Sequence, residues 1–327
     1  MGQPGSLVIS LDHELFWGVR DRRPESLRAY EANLRGERAA ISGILALFRE
    51  YETRATWATV GFLFFGSREE LLAHLPERRP AYAEPRFSPY ADLALVGEDE
   101  ERDPLRLGAS TIDEILAVPG QEIGTHTFSH YYCLERGSDE ASFRADLEAA
   151  VAAARRRGIE LRSIVFPRNQ ANPTYLPVCA ELGLVAFRGN ERSRWYRPVS
   201  EKDNTALRRA VRAADVYLPL TGRHAYPREE VRGGPLADVR SSRFLRPFSP
   251  ALAPLEPLRL RRLERDLEHA ARNGLVYHLW WHPHNFGIHT ERNLATLRRL
   301  LEHAAALRQR YGFRSLTMAD VAGEASA

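Results

Sequence analysis

Hydrophobic and polar positions along this chain fall into two alternating regimes. Short, nearly continuous apolar or β-branched runs recur at residues 7–11, 55–60, 122–125, 163–166, 184–187 and 275–281. Runs of this length without strict alternation suit strands buried on both faces. Between them, residues 38–51, 142–156, 173–182, 258–272 and 290–311 carry apolar side chains at helical spacing. Gly158, Gly183 and Gly274 follow three of these segments, where a left-handed residue ends a helix. Buried strands alternating with covering helices predict a parallel α/β fold, either a barrel or a wound sheet, with functional groups at the C-terminal ends of the strands.

Two stretches break the pattern. Residues 68–104 and 192–248 are polar, charged and irregular, and they read as insertions on one scaffold spanning residues 1–327. No fixed-period repeat or low-complexity tract is present. Apolar residues make up 44% of the 327 positions, enough for a sizeable core.

The 46 basic residues nearly balance the 43 acidic ones, leaving no excess to neutralise a phosphate backbone, so nucleic acid is not the expected partner. No run approaches the roughly 20 apolar residues of a membrane span. The N-terminus lacks a basic segment followed by an apolar one, and a cytoplasmic location is expected. Cys133 and Cys179 form no Cys-x-x-Cys motif and are expected to be reduced, buried hydrophobes.

Chemistry concentrates where strands end. The first run stops at Asp12-His13-Glu14; extended geometry puts Asp12 and Glu14 on one face and His13 on the other. The segment starting at Glu122 leads into His126-Thr-Phe-Ser-His130, and on one helical turn both imidazoles would share a face and one metal ion. Thr127 and Ser129 could orient them. Two histidines with one carboxylate form a common catalytic metal set that leaves a position open for water. The last strand ends in Trp280-Trp281-His282-Pro283-His284-Asn285, with His282 the candidate general acid and His284 its competitor. Phe166-Pro167-Arg168-Asn169 offers a guanidinium suited to orienting Asp12; Arg188 ends the next strand and could line the same mouth or serve a structural ion pair.

The order of these segments resembles the polysaccharide deacetylase family, whose catalytic domain is a distorted (β/α) barrel of about seven parallel strands. Ser10-Leu-Asp12-His13-Glu14 resembles the first family motif, usually Thr-Phe-Asp-Asp-Gly. Residues 55–61, Ala-Thr-Trp-Ala-Thr-Val-Gly, are similar to the strand that follows it. His126-Thr-Phe-Ser-His130 resembles the family's histidine motif, Phe166-Pro-Arg168 loosely its arginine motif, and Trp280-Trp-His282 its late Leu-x-His motif. Together these span residues 6 to about 287.

The resemblance implies Asp12 as general base, His282 as general acid, Arg168 as the residue orienting Asp12, and a divalent metal ion, zinc being the expected one, held by an acidic residue with His126 and His130. The sequence departs from the family where His13 stands at the usual second aspartate. Some members instead carry Asp-x-Glu or Asp-x-Asp, and strand alternation also prefers Glu14; His13 and Asp12 remain alternatives. Trp17, Asn169, Trp281, His284 and Asn285 are the candidate substrate contacts. The expected reaction removes an N-acyl group, acetyl first, from an amino sugar in a glycan or its precursor. Hydrolysis of a cyclic amide or ureide, as in allantoinase-like members, and an inactive carbohydrate-binding homologue are the other readings.

Overall fold

The computed structural model describes residues 3–326. Its strands are β1 (Ser6–His13), β2 (Ala55–Thr59), β3 (Gln121–Thr125), β4 (Ser163–Ile164), β5 (Ala186–Phe187), β6 (Tyr226–Pro227), β7 (Ala237–Asp238), β8 (Arg243–Phe244), β9 (Leu275–Trp281) and β10 (Arg314–Leu316). They run in the order β6-β9-β1-β2-β3-β4-β5-β7, with β10 also on β1 and β8 on β9. Every pairing is parallel except β6 with β9. All six apolar runs of the sequence supply strands.

One short piece of chain closes the circuit. β7 pairs with β5, and β8, five residues further on, pairs with β9. Between them the Ser241 amide donates to the Gly189 carbonyl and the Ser242 amide to that of His278. The barrel wall is therefore β9, β1, β2, β3, β4, β5 and the 237–244 run. No strand is legible there in the sequence because Asp238, Arg240 and Arg243 interrupt any apolar pattern.

The covering helices are α1 (Pro24–Glu50), α2 (Arg68–Ala73), α3 (Ala109–Leu116), α4 (Glu140–Arg156), α5 (Leu176–Glu181), α6 (Ala206–Asp215), α7 (Glu256–Asn273), α8 (Thr290–Tyr311) and α9 (Met318–Ser326). Gly274 ends α7 in the left-handed conformation with φ of 68°, and Gly158 and Gly183 also have positive φ. α1 starts well before residue 38, with Pro24 in its first turn, because most of its N-terminal half is solvent-facing and shows little apolar periodicity.

All eight residues of β1 are buried, and their parity sorts them. Leu7, Ile9 and Leu11 join the large cluster under the helices, with Ile41, Ile44 and Phe48 of α1. Val8 points into the barrel and packs with Ala58, Val165, Val276 and Met318. The barrel floor is apolar only in part: α9 contributes Met318 and Val321 to it, and the Glu122 carboxyl there accepts from the Thr56 and Ser163 hydroxyls. Its mouth, at the strand C-termini, is where the polar groups collect. Cys133 and Cys179 are buried and unpaired. No helix of the described residues is long and apolar enough to cross a membrane.

Candidate metal centre

The parity that sends Val8 inward also sends Asp12 inward and His13 outward. His13 is fully buried under α3, where Thr111 Oγ1 lies 3.0 Å from its Nε2 and Thr59 Oγ1 3.3 Å from its Nδ1. Burial, and then the Arg38 charge, push its pKa down to about 3. His13 is therefore not a ligand candidate; it is a neutral core histidine held by two threonines. Glu14, one residue past β1, returns to the inner side.

The histidine pair is brought together by a turn and not by a helix. His126 directly follows β3, whereas Thr127 and His130 both have positive φ, 64° and 59°. Two non-glycine residues in that region need outside support. Asp146 of α4 provides it: its carboxylate accepts from the Phe128 amide at 2.7 Å, from the Ser129 amide at 3.2 Å and from the Ser129 hydroxyl. Thr127 Oγ1 accepts from the Tyr131 amide at 2.6 Å and donates to the His126 carbonyl. The sequence reading missed Asp146, which sits unmarked within a long amphipathic helix.

Three expected ligands converge. Glu14 Oε2 lies 3.1 Å from His130 Nε2 and 3.3 Å from His126 Nε2, and all three residues are buried. His126 Nδ1 is 2.8 Å from the Val165 carbonyl, which can only accept, so Nδ1 donates there and Nε2 is the atom turned to Glu14. That orientation leaves Nε2 free to bind a cation shared with Glu14 and His130. The donor set, two imidazoles and one carboxylate with a hydrogen-bonded outer partner, fits a divalent metal ion. Burial alone would raise the Glu14 carboxyl, but the charge of His282 and the hydrogen bonds of His126 and His130 hold it well below the usual range.

Asp12 is organised by a residue other than the one expected. Arg188, at the end of β5, donates from Nη1 to Oδ1 at 2.6 Å and from Nη2 to Oδ2 at 2.8 Å. Burial pushes Asp12 up, yet Arg188, His126 and His282 together hold it below its ordinary value. Asn169 Oδ1 accepts from Arg188 Nη2 at 2.8 Å, and Ser10 Oγ lies 3.0 Å from Nη1 and 2.8 Å from His278 Nε2. Asn169 thus acts through Arg188. Arg168 instead pairs with Asp21 and Glu201 and lies over the Tyr132 ring, 4.3 Å from its centroid. Its positive φ of 56° turns the side chain toward those partners, leaving the carboxylate beneath to Arg188.

Past β9, His282 Nε2 is 3.6 Å from both Asp12 Oδ2 and Glu14 Oε1, and its side chain is 25% exposed. His284, 2% exposed, stacks on it with ring centroids 4.9 Å apart. Asn285 accepts from the Tyr30 hydroxyl at 2.6 Å, and its Nδ2 is 3.3 Å from His282 Nδ1. The expected tryptophan contacts fail. Trp17 and Trp281 have no exposed surface: Trp17 donates to the Arg106 carbonyl and meets Phe62 edge-on, and Trp281 packs on Phe286 and Phe48. Both are core residues. Trp280, on the other face of β9, instead carries Arg188 over its ring at 4.2 Å.

No protein-family model and no curated protein matches the sequence. Solved structures do. A candidate polysaccharide deacetylase from Mycobacterium smegmatis superposes with a TM-score of 0.60 at 14% identity, over 99% of this chain and 93% of that one. The Puue allantoinase gives 0.53 at 14%, over 97% and 88%. A 4-alpha-glucanotransferase from Thermococcus litoralis gives 0.53 at 11%, over 98% of this chain but 40% of that one. The fold is the distorted barrel of the polysaccharide deacetylases. Because structures named for different activities share it, the chemistry has to be argued from the site.

Proposed function

We propose that this chain is a divalent-metal-dependent hydrolase of a non-peptide C–N bond, removing the N-acyl group, acetyl first, from an amino sugar of a glycan or glycan precursor. The observation that carries the reading is the convergence of His126 Nε2 and His130 Nε2 on Glu14 Oε2, at 3.3 and 3.1 Å, in a buried cluster. Glu14, His126 and His130 would hold the ion, with zinc expected from the two-imidazole, one-carboxylate set. When bound, such an ion polarises the acyl carbonyl and acidifies water.

The remaining work falls to side chains. Asp12, oriented and kept ionised by Arg188, accepts the proton of the attacking water as its oxygen adds to the acyl carbon. His282, the most exposed of the groups around Glu14, gives a proton to the nitrogen as the C–N bond breaks.

A second substrate reading, a small cyclic amide or ureide, gains from one observation: burial of Trp17 and Trp281 removes the expected platform for sugar rings. Metal content and product release test both. The purified protein should carry a near-stoichiometric divalent ion, lost in His126→Ala/His130→Ala, and the loaded protein should release acetate from N-acetylated amino sugars. Ring opening of cyclic ureides without acetate release would select the second reading. Absence of bound metal, with no uptake of added zinc, would leave a carbohydrate-binding protein without hydrolytic activity.

A further inference from the structure

Glu14 has a second side. While Oε2 meets His126 and His130, Oε1 lies 3.6 Å from His282 Nε2 and 3.9 Å from His284 Nδ1. One ligand atom from each of Glu14, His282 and His284 falls within 4.8 Å of the others. The two rings are nearly parallel, at 16°, so their nitrogens are offered side by side. Separations of 3.6 and 3.9 Å are too long for hydrogen bonds. They match donors sharing one ion, which with bonds of about 2.0–2.2 Å lie roughly 3.3–4.2 Å apart at tetrahedral or wider angles.

Two orphaned groups point the same way. His284 Nδ1 is buried without a hydrogen-bond partner. Glu37 of α1 has no exposed surface, and apart from the nearby Leu15 amide its carboxyl oxygens lack a hydrogen-bond partner; its Oε2 is 4.0 Å from that same Nδ1. A buried polar group left without its full set of partners is costly, and such groups are normally matched by a hydrogen bond or a metal ion. Neither group has a part in the hydrolytic reading above.

We propose that Glu14 is shared by two cation sites, and that the second is formed by Glu14 Oε1, His282 Nε2 and His284 Nδ1, with the buried Glu37 carboxyl beside it. The ligand is a divalent ion that accepts mixed nitrogen and oxygen donors, such as zinc or cobalt. The site is weaker than the first because His282 is partly exposed. An ion there occupies the His282 lone pair that would otherwise bind a proton. Filling it therefore opposes the acid role of His282, and excess divalent ion slows turnover. The proposal depends on the hydrolase reading only for this last consequence.

The test is equilibrium dialysis of the metal-free full chain against zinc, and in parallel cobalt, with elemental analysis at rising free-ion concentration. Two ions per chain are expected at saturation, one tight and one weak. Glu37→Gln and His284→Gln should each weaken or remove the weak ion while the tight one stays. His126→Ala/His130→Ala should lose the tight ion. In the wild type, hydrolysis should fall as the weak ion fills. A single ion per chain up to millimolar free zinc and cobalt would overturn the second site and leave the hydrolase reading intact. Two ions with unchanged affinities in Glu37→Gln and His284→Gln would overturn the assignment of these residues. Loss of all tight binding in the wild type would instead count against the hydrolase reading.

Discussion

Asp12 and Arg188, 176 residues apart in sequence, meet in a two-pronged ion pair of 2.6 and 2.8 Å, with side-chain exposures of 4% and 0%. The fork geometry fixes the plane of the carboxylate as well as its charge. Trp280 beneath the guanidinium and Asn169 and Ser10 beside it fix the arginine in turn. The candidate base is therefore set by the barrel wall and not by a mobile loop.

Breaking that pair should cost both stability and rate. Arg188→Ala leaves a buried carboxylate alone, and unfolding free energy in denaturant titrations should fall by about 3–5 kcal/mol. Arg188→Lys keeps the charge but loses the fork, and kcat/KM for the substrate identified by product release should fall at least about 10-fold. Asp12→Asn should lower kcat roughly 10²–10⁴-fold while metal content stays unchanged. Arg168→Ala should affect turnover less than Arg188→Lys; the reverse order would return the orienting role to Arg168.

The choice between Glu14 and His13 yields a separate measurement. Glu14→Gln should lower metal affinity by one to two orders of magnitude or more, because it removes the carboxylate in contact with both His126 and His130. His13→Gln should retain the metal and instead lower the melting temperature, since its contacts are Thr59 and Thr111 in the core. Metal analysis of the two variants at matched protein concentration decides between them. Metal loss in His13→Gln with a retained fold would contradict the outward placement of this side chain.

How far the sequence reaches can be traced residue by residue. The strand-end cluster was legible because period-two alternation is local: once β1 was recognised, Asp12 and Glu14 had to share a face and His13 had to leave it. The His126 and His130 partnership was legible from spacing, although its turn geometry was not, since positive φ at Thr127 and His130 leaves no mark in composition. Arg188 ended a recognised strand, but which of two arginines reaches Asp12 depends on how far neighbouring strands curl, a tertiary property. Glu37 and Asp146 were illegible for a plainer reason. A carboxylate on an amphipathic helix looks solvent-exposed until the packing of that helix is known. Likewise, Trp17 and Trp281 looked like platforms because aromatic residues beside a catalytic motif fit either a sugar or a core.

Those two tryptophans carry a prediction of their own. Trp281→Ala and Trp17→Ala each empty a site with no solvent exposure, and each should cost about 3–5 kcal/mol of unfolding free energy. Trp17→Phe and Trp281→Phe, which keep most of the packing, should leave KM within about twofold of the wild type, as only direct substrate contacts are expected to move it. A several-fold rise in KM for either phenylalanine variant, with the fold intact, would show that the ring reaches substrate after all.

Asp146 supplies the pH-dependent case. Burial, acting against the hydrogen bonds from Ser129 and Phe128, raises its pKa from the ordinary 3.8 to about 7. A folded-state value above the unfolded one means the native chain binds this proton more tightly, so the associated stability is complete below about pH 4 and lost as pH rises through 7. The ceiling is about 4 kcal/mol for a shift of about three units. Other groups contribute their own slopes, so the diagnostic quantity is the difference between two proteins. Unfolding free energy of the wild type, measured from about pH 5 to pH 8, should decline relative to that of Asp146→Asn, which cannot titrate there. Parallel curves would mean that Asp146 keeps one protonation state across this range. In that event the three donors would outweigh burial, and the carboxylate would stay charged beneath the turn that carries His126 and His130.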